Sequence, residues 1–344
     1  METNRRSFLL GSAALLATAG GIALTAPAAQ AAVDESLVKQ AAAAGPINWY
    51  ESSPPEQGAE IVAAFKKHYP DLDLRHVRVP GGNDLPARII QESQASDGTA
   101  DVASAGAGHI WELAKRDLAR PLADAGVTLP ADLTPVPFGM VTAASIYCLV
   151  WNTQAVPAGE EPKTWQDMLD PRWKDRCGTW VLAVAFTHLA KDWGYDKAKS
   201  YLEAFAAQKP LLYKSTFPLA QQVAAGEVDV AIGIYHTAQP PIDAGAPIKV
   251  KAFDPVPTST IYSIIPTKAR NPAGAAVLLH WLSTPEGALA YEAATSRGNP
   301  RIAETKTAQL LAGKDISEFP PDETDEYSRI LKEFNQILAD GAAR

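Results

Sequence analysis

Three short stretches of the chain carry side chains suited to holding a small charged molecule. Lys214-Ser215-Thr216 falls between a β-type run and a helical run. Backbone N–H groups and the positive end of the helix dipole gather at such a helix start, and two hydroxyls with a lysine would add donors for a carboxylate or phosphate. A plainer role is open as well: Ser215 or Thr216 caps the helix and Lys214 is solvated. Arg297, in Arg297-Gly298-Asn299-Pro300-Arg301, could fork onto an oxyanion or sit on a surface loop. Tyr50-Glu51-Ser52-Ser53 closes an early strand, where Ser52 and Ser53 offer polar contacts and Tyr50 a ring. Tyr50, Trp151, Trp180, Phe186, Tyr235 and Tyr262 as a group could present aromatic faces to an organic body, although Trp151, Trp180 and Tyr262 taken singly read as packed core. No Gly-x-Ser-x-Gly elbow, His-Glu-x-x-His, Walker loop or dinucleotide glycine fingerprint occurs, and the six histidines do not cluster. Catalysis is therefore disfavoured, and no catalytic residue, cofactor or resident metal is expected.

The elements that must position these residues alternate. Ile47 to Glu51, Leu72 to Val79 and Asp101 to Ser104 read as strands, with helices over Glu56 to His68 and Asn83 to Ala95 between them. Ile61, Phe65 and His68 fall on one face of the first helix. Such a βαβαβ order predicts a parallel sheet covered by helices, whose ligands gather at the carboxyl ends of the strands. Ser52-Ser53, Pro80-Gly81-Gly82 and Ala105-Gly106-Ala107-Gly108 should then share one edge. A second α/β set follows. Ser145 to Trp151, Gly178 to Leu182, Leu211 to Lys214, Val228 to Ile234 and Thr260 to Ile265 read as strands. Asp196 to Gln208, Pro218 to Ala225, Pro272 to Leu282, Pro285 to Ala294 and Asp322 to Asp340 read as helices, with Thr164 capping a further helix start.

Composition bounds the function classes. The 344 residues are 47% hydrophobic and 20% charged, which is globular and enough for two cores without staples. The net charge of -8 without a basic run excludes a nucleic-acid surface. Residues 1–31 have the form of an export signal: Arg5 and Arg6, an uncharged Phe8 to Leu24, then Ala29-Gln30-Ala31. Asn4-Arg5-Arg6-Ser7-Phe8-Leu9-Leu10 resembles the twin-arginine pattern, so export to the periplasm or cell exterior and cleavage near Ala31 are expected. No cysteine near that site suggests a lipid anchor, and no later run suggests membrane insertion. Outside the cytoplasm Cys148 and Cys177 could pair, or remain buried thiols.

The motif order carries a family resemblance. Leu149-Val150-Trp151-Asn152-Thr153, Pro162-Lys163-Thr164-Trp165 and Leu169-Asp170-Pro171-Arg172-Trp173-Lys174 are followed by Gly226-Glu227-Val228-Asp229-Val230-Ala231. Tyr262 to Pro266 with Lys268 and Asn271-Pro272, and then Ser283-Thr284-Pro285-Glu286-Gly287, complete the order. This series resembles the extracellular solute-binding proteins of ATP-driven (ABC) importers, in the ferric-iron-binding-protein-like branch. The resemblance implies an α/β fold of two lobes, the type II periplasmic-binding-protein-like fold, each lobe a central sheet flanked by helices with the ligand cleft between them. It implies lobe one at 45–148 with 263–312 and lobe two at 149–262 with 313–344. It also implies a monomer that captures a small-molecule solute and delivers it to a membrane permease with its ATPase, or presents it to a sensor.

In iron-binding members of that branch a His or Glu near the first strand and two adjacent tyrosines hold the metal, since hard ferric ion wants phenolate and carboxylate oxygens. Here the tyrosine pair is Tyr235-His236, so one phenolate is lost. A degenerate metal site from Glu51, His109, Tyr235 and His236 is the alternative to an organic anion or zwitterion. By the same resemblance Lys214-Ser215-Thr216 and Arg297 approach the cleft. The apolar loop Ala183 to Thr187 replaces a polar turn of phosphate-binding members.

Overall fold

The computed structural model describes residues 33–79, 83–95 and 98–343. The export signal with Arg5 and Arg6, and the Pro80-Gly81-Gly82 loop, lie outside these residues. After helix α1 (Glu35–Ala43) the first set runs β1 (Ile47–Glu51), α2 (Pro55–His68), β2 (Leu74–Arg78), α3 (Asp84–Ala95), β3 (Val102–Gly106) and α4 (Ala107–Ala114). A long strand β4 (Met140–Asn152) leads to β5 (Cys177–Trp180), α5 (Val184–Trp193), α6 (Tyr195–Ala206), β6 (Leu211–Tyr213), α7 (Thr216–Ala225), β7 (Val230–Ile234), α8 (Tyr235–Asp243) and β8 (Ile248–Lys251). Then β9 (Val256–Ile264) returns to α9 (Pro272–Ser283), α10 (Pro285–Thr295) and α11 (Lys306–Leu311), and β10 (Ile316–Ser317) precedes α12 (Thr324–Ala343). No helix of the described residues is long and apolar enough to cross a membrane.

The strands form one curled sheet in the order β2-β1-β3-β9-β4-β7-β5-β6, with β8 beside β4 and β10 beside β9. β1, β2 and β3 are parallel, as are β5, β6 and β7. β4 and β9 connect the sets: Met140 to Ile146 pair antiparallel with β9, and Tyr147 to Trp151 with β7. Strand alternation puts side chains on both faces. Ile47 and Trp49 join one core with Phe65, Leu278 and Trp281, while Tyr50 faces Ile89, Ile110 and Tyr262. Likewise Leu149 and Trp151 pack with Phe186, Phe205 and Phe334, whereas Ile146 and Val150 pack with Leu219 and Val223. Burying each such large apolar side chain contributes about 1.5–3 kcal/mol against chain entropy.

Several expectations change in detail. Cys148 and Cys177 are free buried thiols, pushed up to about 12 by burial. They do not pair because alternation sends Cys148 into the core with Val150 and Cys177 into the opposite core with Phe186. Thr164 opens a short 3-10 turn, Gln166–Leu169, rather than an α-helix. Ala183 to Thr187 is no loop: α5 starts at Val184 and buries Ala185, Phe186 and Thr187. Tyr235-His236 likewise begins a helix, α8, despite Pro240 and Pro241 inside it. Two prolines remove amide donors and discourage a helix prediction, but the buried face Tyr235–Gln239 holds this short one in place.

Candidate functional site

A cavity of about 1140 Å³ opens where the two strand sets meet. Its walls include Ser52 after β1, Val79 after β2, Ser104 to Gly106 on β3 and the start of α4, as expected for the carboxyl edge of a parallel sheet. The other set supplies Ser145 and Tyr147 on β4, Trp180 at the end of β5 and Leu182 after it, Val184 and His188 on α5, and Thr324, Asp325, Tyr327, Ser328 and Leu331 on α12. Ser259, Thr260 and Ile261 come from β9, and Arg297 and Glu318 from the loops after α10 and β10.

Arg297 is positioned from behind. Its Nη2 lies 2.9 Å from His236 Nε2, and its Nη1 lies 3.9 Å from Glu51 Oε1. Glu51 is fully buried and accepts hydrogen bonds from the Ser53 N–H (2.6 Å) and the Tyr291 hydroxyl (3.1 Å), with His76 Nε2 at 3.2 Å. Burial would raise its carboxyl, but the His76 bond, the Arg297 charge and the Ser53 N–H together hold it below the usual carboxylate range. Burial, and then the same guanidinium, keep His236 well below the ordinary imidazole value. A neutral His236 therefore accepts from Arg297. Arg297 lines the cavity, and its Nε is buried with no hydrogen-bond partner.

A second polar group was not singled out from the sequence. His188 Nδ1 accepts from the Phe319 N–H (3.3 Å), so its Nε2–H donates to Ser259 Oγ at 2.9 Å. Burial pushes His188 down to about 3 and Tyr147 up to about 12, so both are neutral. Glu318 accepts from the Thr260 N–H (2.5 Å) and Thr260 Oγ1 (2.6 Å), yet burial raises it to about 7. The signal in the sequence was a lone carboxylate beside an aromatic residue, in Ile316-Ser317-Glu318-Phe319.

Of the residues singled out from sequence, Ser52, His109, Trp180 and Arg297 line the cavity. Ser53 and His236 support it through Glu51 and Arg297. Tyr50 is buried, its hydroxyl donating to Glu92 under the Arg88 guanidinium, 4.3 Å above its ring. Tyr262 packs in the core beside Gly139. Tyr235 packs among Ala220, Val223 and Ala238, and burial pushes its phenol up to about 12. Ser215 caps α7, accepting from the Phe217 N–H; Thr216 is buried and Lys214 exposed. Trp180, on the cavity wall, donates its indole N–H to the Lys214 carbonyl at 3.3 Å.

The donor set suits ferric ion poorly. A guanidinium already lies between Glu51 and His236, and the Tyr235 phenol sits in apolar core. Among the described residues no three His, Cys, Asp or Glu side chains are grouped to hold a metal ion.

A family model described as bacterial extracellular solute-binding protein matches residues 60–313. No curated protein sequence matches the chain. Among solved structures, iron-bound HitA from Pseudomonas aeruginosa is similar at 18% identity and a TM-score of 0.70, covering 85% of this chain and 99% of that one. AfuA from Actinobacillus pleuropneumoniae, with fructose-6-phosphate bound, is similar at 20% identity and a TM-score of 0.66, covering 86% and 99%. AgtB from A. tumefaciens R10, in complex with agropinic acid, is similar at 16% identity and a TM-score of 0.61, covering 86% and 99%. At these identities the likeness is one of fold.

Proposed function

The chain belongs to the bacterial extracellular solute-binding proteins, and from that premise we propose that it captures a small organic anion or zwitterion in this cavity and hands it to an ABC permease and its ATPase. The observation that carries this reading is Arg297: a cation on the cavity wall, held by Glu51 and His236. Binding rather than turnover is the chemistry, and the protein acts as a monomer. Titrating the purified chain by calorimetry against carboxylates, phosphonates, phosphate esters, amino acids, polyamines and ferric salts tests it. Saturation by ferric ion alone, with a tyrosinate-to-iron absorption band lost in Tyr235→Phe, would favour a metal cargo instead.

Capture works by closure. We assign lobe one to 45–148 with 263–312 and lobe two to 149–262 with 313–344, so that β4 and β9 are the crossing strands. Arg297 and Ser52 then belong to one lobe, His188 and Glu318 to the other. A solute touching both favours the closed arrangement by its differential affinity. Small-angle scattering should show a smaller radius of gyration at saturating solute, and an unchanged profile counts against the hinge.

Export follows from the amino terminus. Replacing Arg5 and Arg6 together by lysine should leave folded precursor in the cytoplasm, because the twin-arginine route reads that pair. Undiminished appearance in the periplasm of a twin-arginine-competent host would remove this route.

A further inference from the structure

Glu318 is a second charged pole of the cavity, and it lacks an ion-pair partner. Among the described residues no Lys, Arg or His makes a salt bridge with it; both oxygens are met by Thr260 alone. The cation whose field reaches it, Arg301, is tied by its guanidinium to the Asp132 carbonyl. Tyr147 and Tyr327 line the same cavity, with the His188 ring between them at 6.3 and 5.2 Å from their centroids. A carboxylate on a cavity wall attracts an organic cation through charge, and tyrosine rings on the same wall can add their quadrupole where the cation meets a ring. The other carboxylates on the wall do less: Glu112 is paired with Arg116, and Asp325 is exposed on α12.

We propose that Glu318, with Tyr147 and Tyr327, is the seat of an ammonium group, so that the solute is a zwitterion whose anionic end meets Arg297. This rests on the solute-binding reading above and narrows its substrate class. The alternative chemistry for Glu318 is a neutral acid that donates a hydrogen bond to an uncharged acceptor, and the two differ in their pH dependence. The groups around Glu318 are Thr260 and Tyr262 on β9, Tyr147 on β4, His188 on α5, Tyr327 on α12 and Arg301. The tyrosines are shifted up and His188 down to about 3, so Glu318 itself titrates near neutrality. Elsewhere on the cavity wall, burial lowers His109 on α4.

The probes are linear ω-amino acids from β-alanine to ε-aminocaproate, beside matched monocarboxylates and dicarboxylates, titrated by calorimetry into the mature chain. The expected result is that at least one ω-amino acid binds on the order of tenfold or more tighter than its monocarboxylate and dicarboxylate counterparts. In Glu318→Gln the ω-amino acid should bind no tighter than its monocarboxylate counterpart, and in the wild type the preference should fade below about pH 7. Glu318→Asp, which keeps the charge, should retain part of it. A preference for dicarboxylates, or an ω-amino acid preference that survives Glu318→Gln or strengthens in acid, overturns the proposal. If carboxylates bind through Arg297 but no ammonium group adds affinity, the Glu318 seat falls and the Arg297 reading stands; if no anion binds at all, both fall.

Discussion

Arg297→Gln should weaken capture of the solute by about two orders of magnitude while leaving the protein folded. Truncating one partner of a desolvated charge contact typically costs about 2–5 kcal/mol of affinity, and the planar fork of arginine is what matches a carboxylate or phosphate with two parallel bonds. Folding is buffered because Glu51 keeps its bonds from Ser53 and Tyr291 and its contact with His76 when the guanidinium goes. Arg297→Lys keeps the charge but loses the fork, so it should recover only part of the affinity. Calorimetry gives the dissociation constant, and circular dichroism of the solute-free variants checks the fold. An unchanged dissociation constant in Arg297→Gln would place the anion elsewhere, with Lys214 and the start of α7 as the next test.

The solute-free protein should lose stability steadily as pH falls from about 6.5, and more steeply below about 4.5. His188 has a folded value of about 3 against an ordinary 6.5, His236 is lowered well below 6.5, and burial lowers His109 in the same direction. In that window the unfolded chain binds protons that the native histidines refuse, so stability rises with pH and is lost on acidification. Glu318 has the opposite sign: raised from 4.5 to about 7, it takes up a proton in the native state first and offsets one histidine between those values. One net proton corresponds to about 1.4 kcal/mol per pH unit. Below the ordinary carboxylate value Glu318 is protonated in both states and its offset disappears. Glu51, depressed in the native state, then contributes stability that is lost as pH falls through its folded value. Urea midpoints from about pH 7 to about pH 4 measure the slope. His188→Gln should flatten the upper window and Glu318→Gln should steepen it; a wild-type slope of zero there would mean that the histidines are solvated and charged.

The family strings explain why the fold was more legible than the ligand. Asn152, from Trp151-Asn152-Thr153, accepts from the Gln154 and Ala155 N–H groups and donates to the Val223 carbonyl, which anchors the end of α7. Trp165 and Trp173 donate their indole N–H groups to the Pro255 and Asp167 carbonyls, and Asp167 accepts from Lys163 and Thr164. Asn271 caps α9 and bonds the Ala41 and Gly45 carbonyls, joining α1 to that helix. These motif residues are occupied with turns, caps and crossings. They mark the fold and leave the cavity free to vary.

By itself the sequence determined the alternation of strands and helices and the identity of the family, and it singled out Ser52 and Arg297, which the structure places on the cavity wall. Those follow from period, caps and motif order, which are local along the chain. It offered the start of α7 as an anion seat, where Ser215 fits the cap; whether a helix N-terminus faces a cleft depends on how that helix packs against β7 and α8. It also missed Glu318, His188, Ser259 and Tyr147, which lie far apart in the chain and meet only because β4, β9, α5 and the segment after β10 converge on one wall. Only the tertiary structure decided the sign of the site, because burial and the distance between charges set whether a histidine is neutral, a glutamate unpaired or an arginine available, and neither quantity is a property of any local stretch of chain.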